Sequence, residues 1–331
     1  MLNFQNIIGH KTVKEHLMEG IRNKHLSHAY IFEGDDGVGK LMTARTFAAG
    51  LQCLEGGPEP CGHCISCLQM ESGNQPDVTL VTHEKAVISV GDIRDSICVP
   101  MTVRPYAGPY RIFIVDEAEK MNEQAQNALL KTLEEPPEYG IIILLTNNRE
   151  AFLSTILSRA VVLDFLPVPD DELIPYLMEE AQIPDYRARL ACAFAGGSPG
   201  KALACAASED FRRRREMAAG LMQSLPDMGD ERMAVTAKSL AAKKEDLDDI
   251  LGLMEIWLRD LMYVKAAGKK AVPMYQQEEN VLAAQASRSD YEGIRKLHEE
   301  LDSLQAKRKA NVTLEPAVWL MLMHMKECYT S

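Results

Sequence analysis

Residues 34–41 run Gly-Asp-Asp-Gly-Val-Gly-Lys-Leu. The spacing Gly-x-x-x-x-Gly-Lys is that of a loop that wraps phosphate. Gly34, Gly37 and Gly39 let the backbone approach an anion, and Lys40 would neutralise its outer oxygens. Such a loop continues with Ser or Thr, whose hydroxyl holds Mg²⁺. Leu41 stands there instead and has no donor atom. Thr43 is no substitute, because two positions along a helix turn the side chain to another side. Asp35 and Asp36 add carboxylates that would repel a phosphate by up to about 4 kcal/mol each if they faced it. Downstream, the apolar run Arg111–Val115 (RIFIV) ends in Asp116-Glu117. There Asp116 would reach a metal through water and Glu117 would orient an attacking water. Together these residues describe phosphoanhydride chemistry with one metal ligand deleted. The expectation is a degenerate nucleotide site, with ATP and Mg²⁺ poorly provided for.

A second constellation is metal-binding. Of eight cysteines, four fall at Cys53-x7-Cys61-x2-Cys64-x2-Cys67. Four thiolates close a tetrahedral zinc site and leave no open position for chemistry, so the expected role is structural. Gly56, Gly57, Pro58 and Pro60 supply the turns between ligands. His63 lies inside the group and could compete as a ligand; Cys53 is preferred. Cys98, Cys192, Cys205 and Cys328 are scattered. Two basic features stay open on spacing alone. Arg159, in Ser158-Arg159-Ala160, is either a surface ion-pair residue or an arginine aimed at a neighbouring subunit. The run Arg212–Arg215 reads first as a solvated helix face and second as a phosphate contact.

The elements that must position these groups alternate. Ala29–Glu33 (AYIFE) is a strand feeding the Gly-rich loop, and Lys40–Leu51 is the helix after it. Asp77–Val81, Arg111–Val115, Ile141–Leu145 and Ala160–Phe165 read as further strands. Asn122–Glu135 has helical apolar spacing at Ala125, Ala128, Leu129 and Leu133, and Pro136-Pro137 stops it. Strands alternating with helices imply a parallel sheet covered on both faces. Beyond the Pro- and Asp-rich stretch 166–171 no strand is evident. Residues 172–206 read as a small helical unit containing the turn GGSPG (196–200), and 207–331 as a second helical region.

The whole chain has 331 residues, 46% hydrophobic and 25% charged, with a formal net charge of −12. That composition is ordinary for a soluble globular protein and excludes a uniformly basic nucleic-acid footprint. No signal-like start and no span of membrane length appear, so a cytoplasmic, non-membrane protein is expected.

The combination resembles the bacterial clamp-loader family, AAA+ proteins that open the ring-shaped sliding clamp of the replicative polymerase. The resemblance is densest over residues 5–166. It rests on "QNALLKTLEEPP" (126–137), "TNN" (146–148), "SR" (158–159), "LSHAYIFEG" (26–34) and the four-cysteine module. The C-terminal "KRKANVTLEPAVWLML" (307–322) is similar to the last collar helices of the family. The resemblance implies an α/β fold: an AAA+ P-loop domain (1–166) with an embedded zinc module (about 53–67), a helical lid (167–206) and an all-α collar that oligomerises (207–331). It also implies partners: motor and delta subunits in a hetero-pentamer, the sliding clamp, and primer–template DNA met through the assembled complex. Within the family the non-motor, delta-prime type fits better than the ATP-hydrolysing motor. The hydroxyl after Lys40 is missing, Gly200 stands where the motor's lid would carry an ATP-sensing Arg, and 331 residues fit three domains without the motor's longer tail. Arg159 then takes the family's finger position, acting in trans on a neighbour's ATP, although the usual Cys after it is Ala160. The intact Asp116-Glu117 pulls toward the motor. An active motor and a zinc-dependent nucleic-acid-binding protein on a P-loop scaffold are the alternatives.

Overall fold

The computed structural model describes every residue except Glu84, Lys85, Asn311 and Ser331. The chain divides into two compact units: Met1–Tyr176 with Gly197–Lys201, and Leu177–Gly196 with Ala202–Ser331.

The first unit is built on five strands, β1 (Ala29–Glu33), β2 (Val78–Val81), β3 (Arg111–Val115), β4 (Gly140–Thr146) and β5 (Val161–Asp164). All pair in parallel, in the order β2-β3-β4-β1-β5. Every residue of β4 is buried, as an apolar run at the centre of a doubly covered sheet must be. Alternation along the strands divides the core. Tyr30, Phe32, Ile112, Ile114, Ile141, Ile143 and Leu145 face one side, against Phe47 and Ala48 of α2 (Lys40–Gln52) and Leu17 of α1 (Lys11–Asn23). Ile31, Phe113, Val115, Ile142 and Leu144 face the other, against Ile93, Ile97, Leu129, Leu133 and Ile156.

The remaining helices of this unit are short. α3 (Ile65–Ser72) lies within the cysteine module, and α4 (Glu123–Glu134) is the helix stopped by Pro136. The Asn122 side chain caps α4 by accepting from the Ala125 amide. α5 (Ser154–Leu157) precedes Arg159. A helical stretch over 90–101 is wound as a π-helix at Arg94–Cys98.

From residue 170 onward the described residues are helices and turns: α6 (Asp170–Glu179), α7 (Asp185–Ala195), α8 (Pro199–Ala207), α9 (Glu209–Ser224), α10 (Asp230–Ala242), α11 (Lys244–Ala267), α12 (Glu279–Arg288), α13 (Tyr291–Lys309) and α14 (Leu314–Thr330). GGSPG is not a simple turn: Gly196 and Gly197 take left-handed backbone, and α8 starts at Pro199. The second unit's core centres on Trp257 and Tyr275, ring centroids 5.0 Å apart. Buried Gln285 accepts from Trp257 Nε1 and donates to the Met222 carbonyl, so its amide is satisfied on both ends. The arginine run is paired throughout. Arg212 and Arg213 meet acids of their own helix, Glu209 and Asp210. Arg214 reaches Asp246 and Asp249 of α11, and Arg215 is half-buried against Glu278 and the Tyr275 ring. The first two form the solvated face that the sequence suggests; the last two staple helices. Among the described residues no helix is long and apolar enough to cross a membrane.

Candidate functional site

The phosphate loop lies between β1 and α2, where the Gly-x-x-x-x-Gly-Lys spacing requires it. Gly34, Gly37 and Gly39 all have positive φ. A Cβ at Gly34 would meet the Phe165 carbonyl at 2.4 Å, so only glycine fits there. Lys40 is buried, and its ammonium donates to the carbonyls of Gly34 and, at 3.0 Å, Asp35. Burial lowers its pKa, opposed by the carboxylates of Asp36, Glu119, Asp116 and Asp35. Asp35 and Asp36 are themselves exposed. Leu41 packs against the sheet core, and the Thr43 hydroxyl donates to the Gly39 carbonyl of its own helix. These residues fit a phosphate group. Leu41, the residue after Lys40, has no oxygen to offer a metal ion.

A short segment lies on the loop. Gly200 N–H donates to the Gly37 carbonyl and Ser198 Oγ to the Asp36 carbonyl, each at 2.9 Å. A Cβ at Gly200 would stand 3.0 Å from the Gly37 oxygen. Position 200 therefore faces the loop, and it carries no side chain.

Asp116 and Glu117 follow β3, separated from β1 by β4. Glu117 takes φ +48, unusual for a residue with a Cβ. Its carboxylate binds Lys120 at 2.7 Å and lies 3.7 Å from buried His83 Nε2. The hydrogen bond from Lys120 lowers its pKa. Among the described residues, one buried Glu119 oxygen has no hydrogen-bond partner. His83 and Glu119 belong to this acidic corner although no motif marks them.

A cavity of about 590 Å³ lies beside the loop, between Gly9–Val13 and His16 on one side and 162–169 on the other. His10 Nε2 lies 2.9 Å from the Val38 carbonyl of the phosphate loop, and its ring packs on Phe165 at 4.8 Å. Burial lowers the His10 pKa. The only sequence signal for this wall is Gly9-His10, both left-handed, just before α1.

The four cysteines converge as their spacing predicts. The sulfurs of Cys53, Cys61, Cys64 and Cys67 lie within 4.8 Å of one another, Cys61 and Cys67 at 3.9 Å. Zn–S bonds of about 2.3 Å set tetrahedral S···S edges near ~3.8 Å. Backbone amides reach the sulfurs as well: Cys61 N–H to Cys53, Cys64 N–H to Cys61 and Cys67 N–H to Cys64, at 3.3–3.4 Å. Burial raises the Cys64 thiol, but hydrogen bonds from Leu54 and Cys67 outweigh it and bring the thiol to about 6. Burial pushes the Cys67 thiol up. The donor set fits zinc. His63 turns instead to Glu55 and the Cys61 carbonyl.

Arg159 sits just past α5, partly exposed. Nη1 donates to the Thr155 carbonyl at 3.0 Å, and Nη2 pairs with Glu134 at 3.0 Å.

A parallel sheet with its phosphate loop after β1, an acidic pair after β3 and β4 inserted between them defines a P-loop domain of the AAA+ type. Residues 9–169 match the family described as "DNA polymerase III, delta subunit". The delta′ subunit of DNA polymerase III from Bacillus subtilis is 37% identical over 174 residues, 53% of this chain and 52% of that protein. The tau/gamma subunit from Haemophilus influenzae is 34% identical over 175 residues, 53% of this chain and 25% of that protein. The matches thus span from a quarter to about half the length of these relatives. A gamma subunit-related protein from Thermotoga maritima aligns over 96% of this chain and 99% of its own, at 23% identity and a TM-score of 0.41. Over residues 9–169, just under half its length, the chain is similar to subunits of DNA polymerase III.

Proposed function

We propose that the chain is a non-motor, stator-like subunit of the bacterial clamp loader. It helps load the sliding clamp onto primed DNA, has a degenerate ATP site of its own, and lends Arg159 to the ATP site of the neighbouring motor subunit. The observation that carries this reading is Leu41, packed against the core where a metal-binding hydroxyl is needed. Gly200 supports it, lying on the loop with no side chain to reach a γ-phosphate. In this reading Gly34, Gly37, Gly39 and Lys40 keep the shape of an anion site. Asp116 and Glu117 keep the acids, with Glu117 turned to Lys120 and His83. The division of labour is a P-loop domain (1–166), a lid (167–206) and a collar (207–331), acting in the cytoplasm with motor and delta subunits in a hetero-pentamer. Cys53, Cys61, Cys64 and Cys67 hold one structural zinc, which would fix the shape of residues 53–67 and supply no chemistry.

Arg159 acts through charge. A planar guanidinium offered to a neighbour's γ-phosphate offsets the charge that develops on the transferring group, and Lys lacks that donor fork. Glu134 and the Thr155 carbonyl hold the guanidinium beside α5 in the isolated chain. The motor reading draws only on the intact Asp116-Glu117. Steady-state ATP turnover by the purified chain separates the two. The non-motor reading expects turnover far below ~1 s⁻¹, an ordinary enzyme rate; a rate at or above it would make the chain a motor.

A further inference from the structure

The cysteine module carries two carboxylates that its sulfur cluster does not use. Glu59 precedes Cys61 by two residues and Glu71 follows Cys67 by four. Both accept from the N-terminal segment. Glu71 Oε2 takes the Leu2 amide at 3.0 Å, and Glu59 Oε2 takes the Phe4 amide at 3.1 Å. The Met1 side chain lies against Gly62, so closely that a Cβ there would stand 2.7 Å from its sulfur. Phe4 and Ile7 then enter the sheet core. The chain continues directly into Gly9–Val13 and His16, one wall of the 590 Å³ cavity. Lys14 ties that wall back: its ammonium donates to the Ile7 carbonyl at 2.7 Å and feels the Glu59 charge. His10 ties it forward to the phosphate loop through Val38.

We infer that the cysteine module is a metal-dependent clasp on residues 2–7 that sets the cavity wall at residues 9–16, with Glu59 and Glu71 as its positioning residues. The inference rests on the reading of the four cysteines as a zinc site. Between Cys53 and α3 the chain has no regular secondary structure, and Gly56, Gly57 and Gly62 take positive φ. The conformation of such a loop is held by its cross-links. With four sulfurs on one ion, Glu59 and Glu71 stand at fixed positions opposite the Phe4 and Leu2 amides. Without the ion the loop relaxes and the two acceptors move apart.

The test is hydrogen exchange on the full chain, read peptide by peptide, with zinc content measured on every sample. Chelator-treated protein and Glu59→Ala/Glu71→Ala should both exchange at least tenfold faster over residues 2–16. Strands β3 and β4 should stay as protected as in the untreated protein, and the double Ala variant should keep its zinc. Glu59→Gln/Glu71→Gln, which keeps an oxygen acceptor at each position, should restore most of the protection. Unchanged exchange over 2–16 in either treatment would overturn the clasp, as would acceleration spread evenly over the whole sheet. Untreated protein without zinc would overturn the cysteine reading and the metal dependence together; the Ala variants would then decide alone whether the carboxylates hold the segment.

Discussion

Asp77 shows how much one buried carboxylate can organise. It has no exposed surface, and it accepts from the amides of Tyr106, Ala107 and Gly108 and from Arg111. Burial raises its pKa, but the three amides and then Arg111 outweigh it, so the folded value lies below the ordinary one. The sign follows: Asp77 contributes stability above the unfolded value, about pH 3.9, and loses it as pH falls through the lower folded value. Asp77→Asn should flatten the acid limb of the stability curve below about pH 4 and cost ~3 kcal/mol at neutral pH, because donors are left unpaired. Chemical denaturation across pH checks both; an unaltered acid limb would remove Asp77 as its source. Leu41 is as telling. The sequence reads it as a residue without a donor atom, and in the structure it packs against the sheet core. Glu117 was legible as an acid after a strand. Its left-handed backbone and its pairing with Lys120 and His83 were not, because both depend on tertiary neighbours.

Among the elements, the strands were readable to within a residue or two, because central strands of a doubly covered sheet are continuous apolar runs. α1 was not: it buries only Val13 and Leu17, and no side chain caps it at His10. α3 was hidden inside the cysteine pattern, with the Cys64 sulfur as its cap. The clasp was beyond sequence reasoning, since its hydrogen bonds join residues 55 and 69 positions apart. The cysteine cluster itself was fully legible, because metal spacing is local. Metal analysis should find one zinc per chain, and Cys64→Ser should lose it to a chelator on the order of 100-fold more readily. The sheet's unfolding transition should persist, its core being formed elsewhere. A wild-type content well below one zinc would contradict this. The phosphate loop yields a sharper test. Leu41→Thr restores the hydroxyl but leaves Gly200 bare, so ATP turnover by the chain should stay near background; recovery to ~1 s⁻¹ would show that position 41 alone disables the site.

At the scale of the whole molecule, the sequence separated a sheet-bearing half from a helical remainder, and the P-loop half carries the family match at residues 9–169. The net charge of −12 argues against a chain that grips DNA alone, and all four arginines at 212–215 are engaged by acids of the chain itself. Arg159 is partly exposed and paired with Glu134, and it is the residue proposed here to reach a neighbour. The central claim is that this chain contributes to ATP hydrolysis without performing it. The most direct measurement is clamp- and DNA-stimulated ATP turnover by the reconstituted clamp-loader complex, with wild-type chain and with Arg159→Ala, after confirming that both assemble. The account predicts a loss of about 10³–10⁵ at the one site facing this chain, seen as a partial fall in total turnover with a larger fall in clamp loading, and little rescue by Arg159→Lys. Equal turnover and equal loading by an intact Arg159→Ala complex would contradict it.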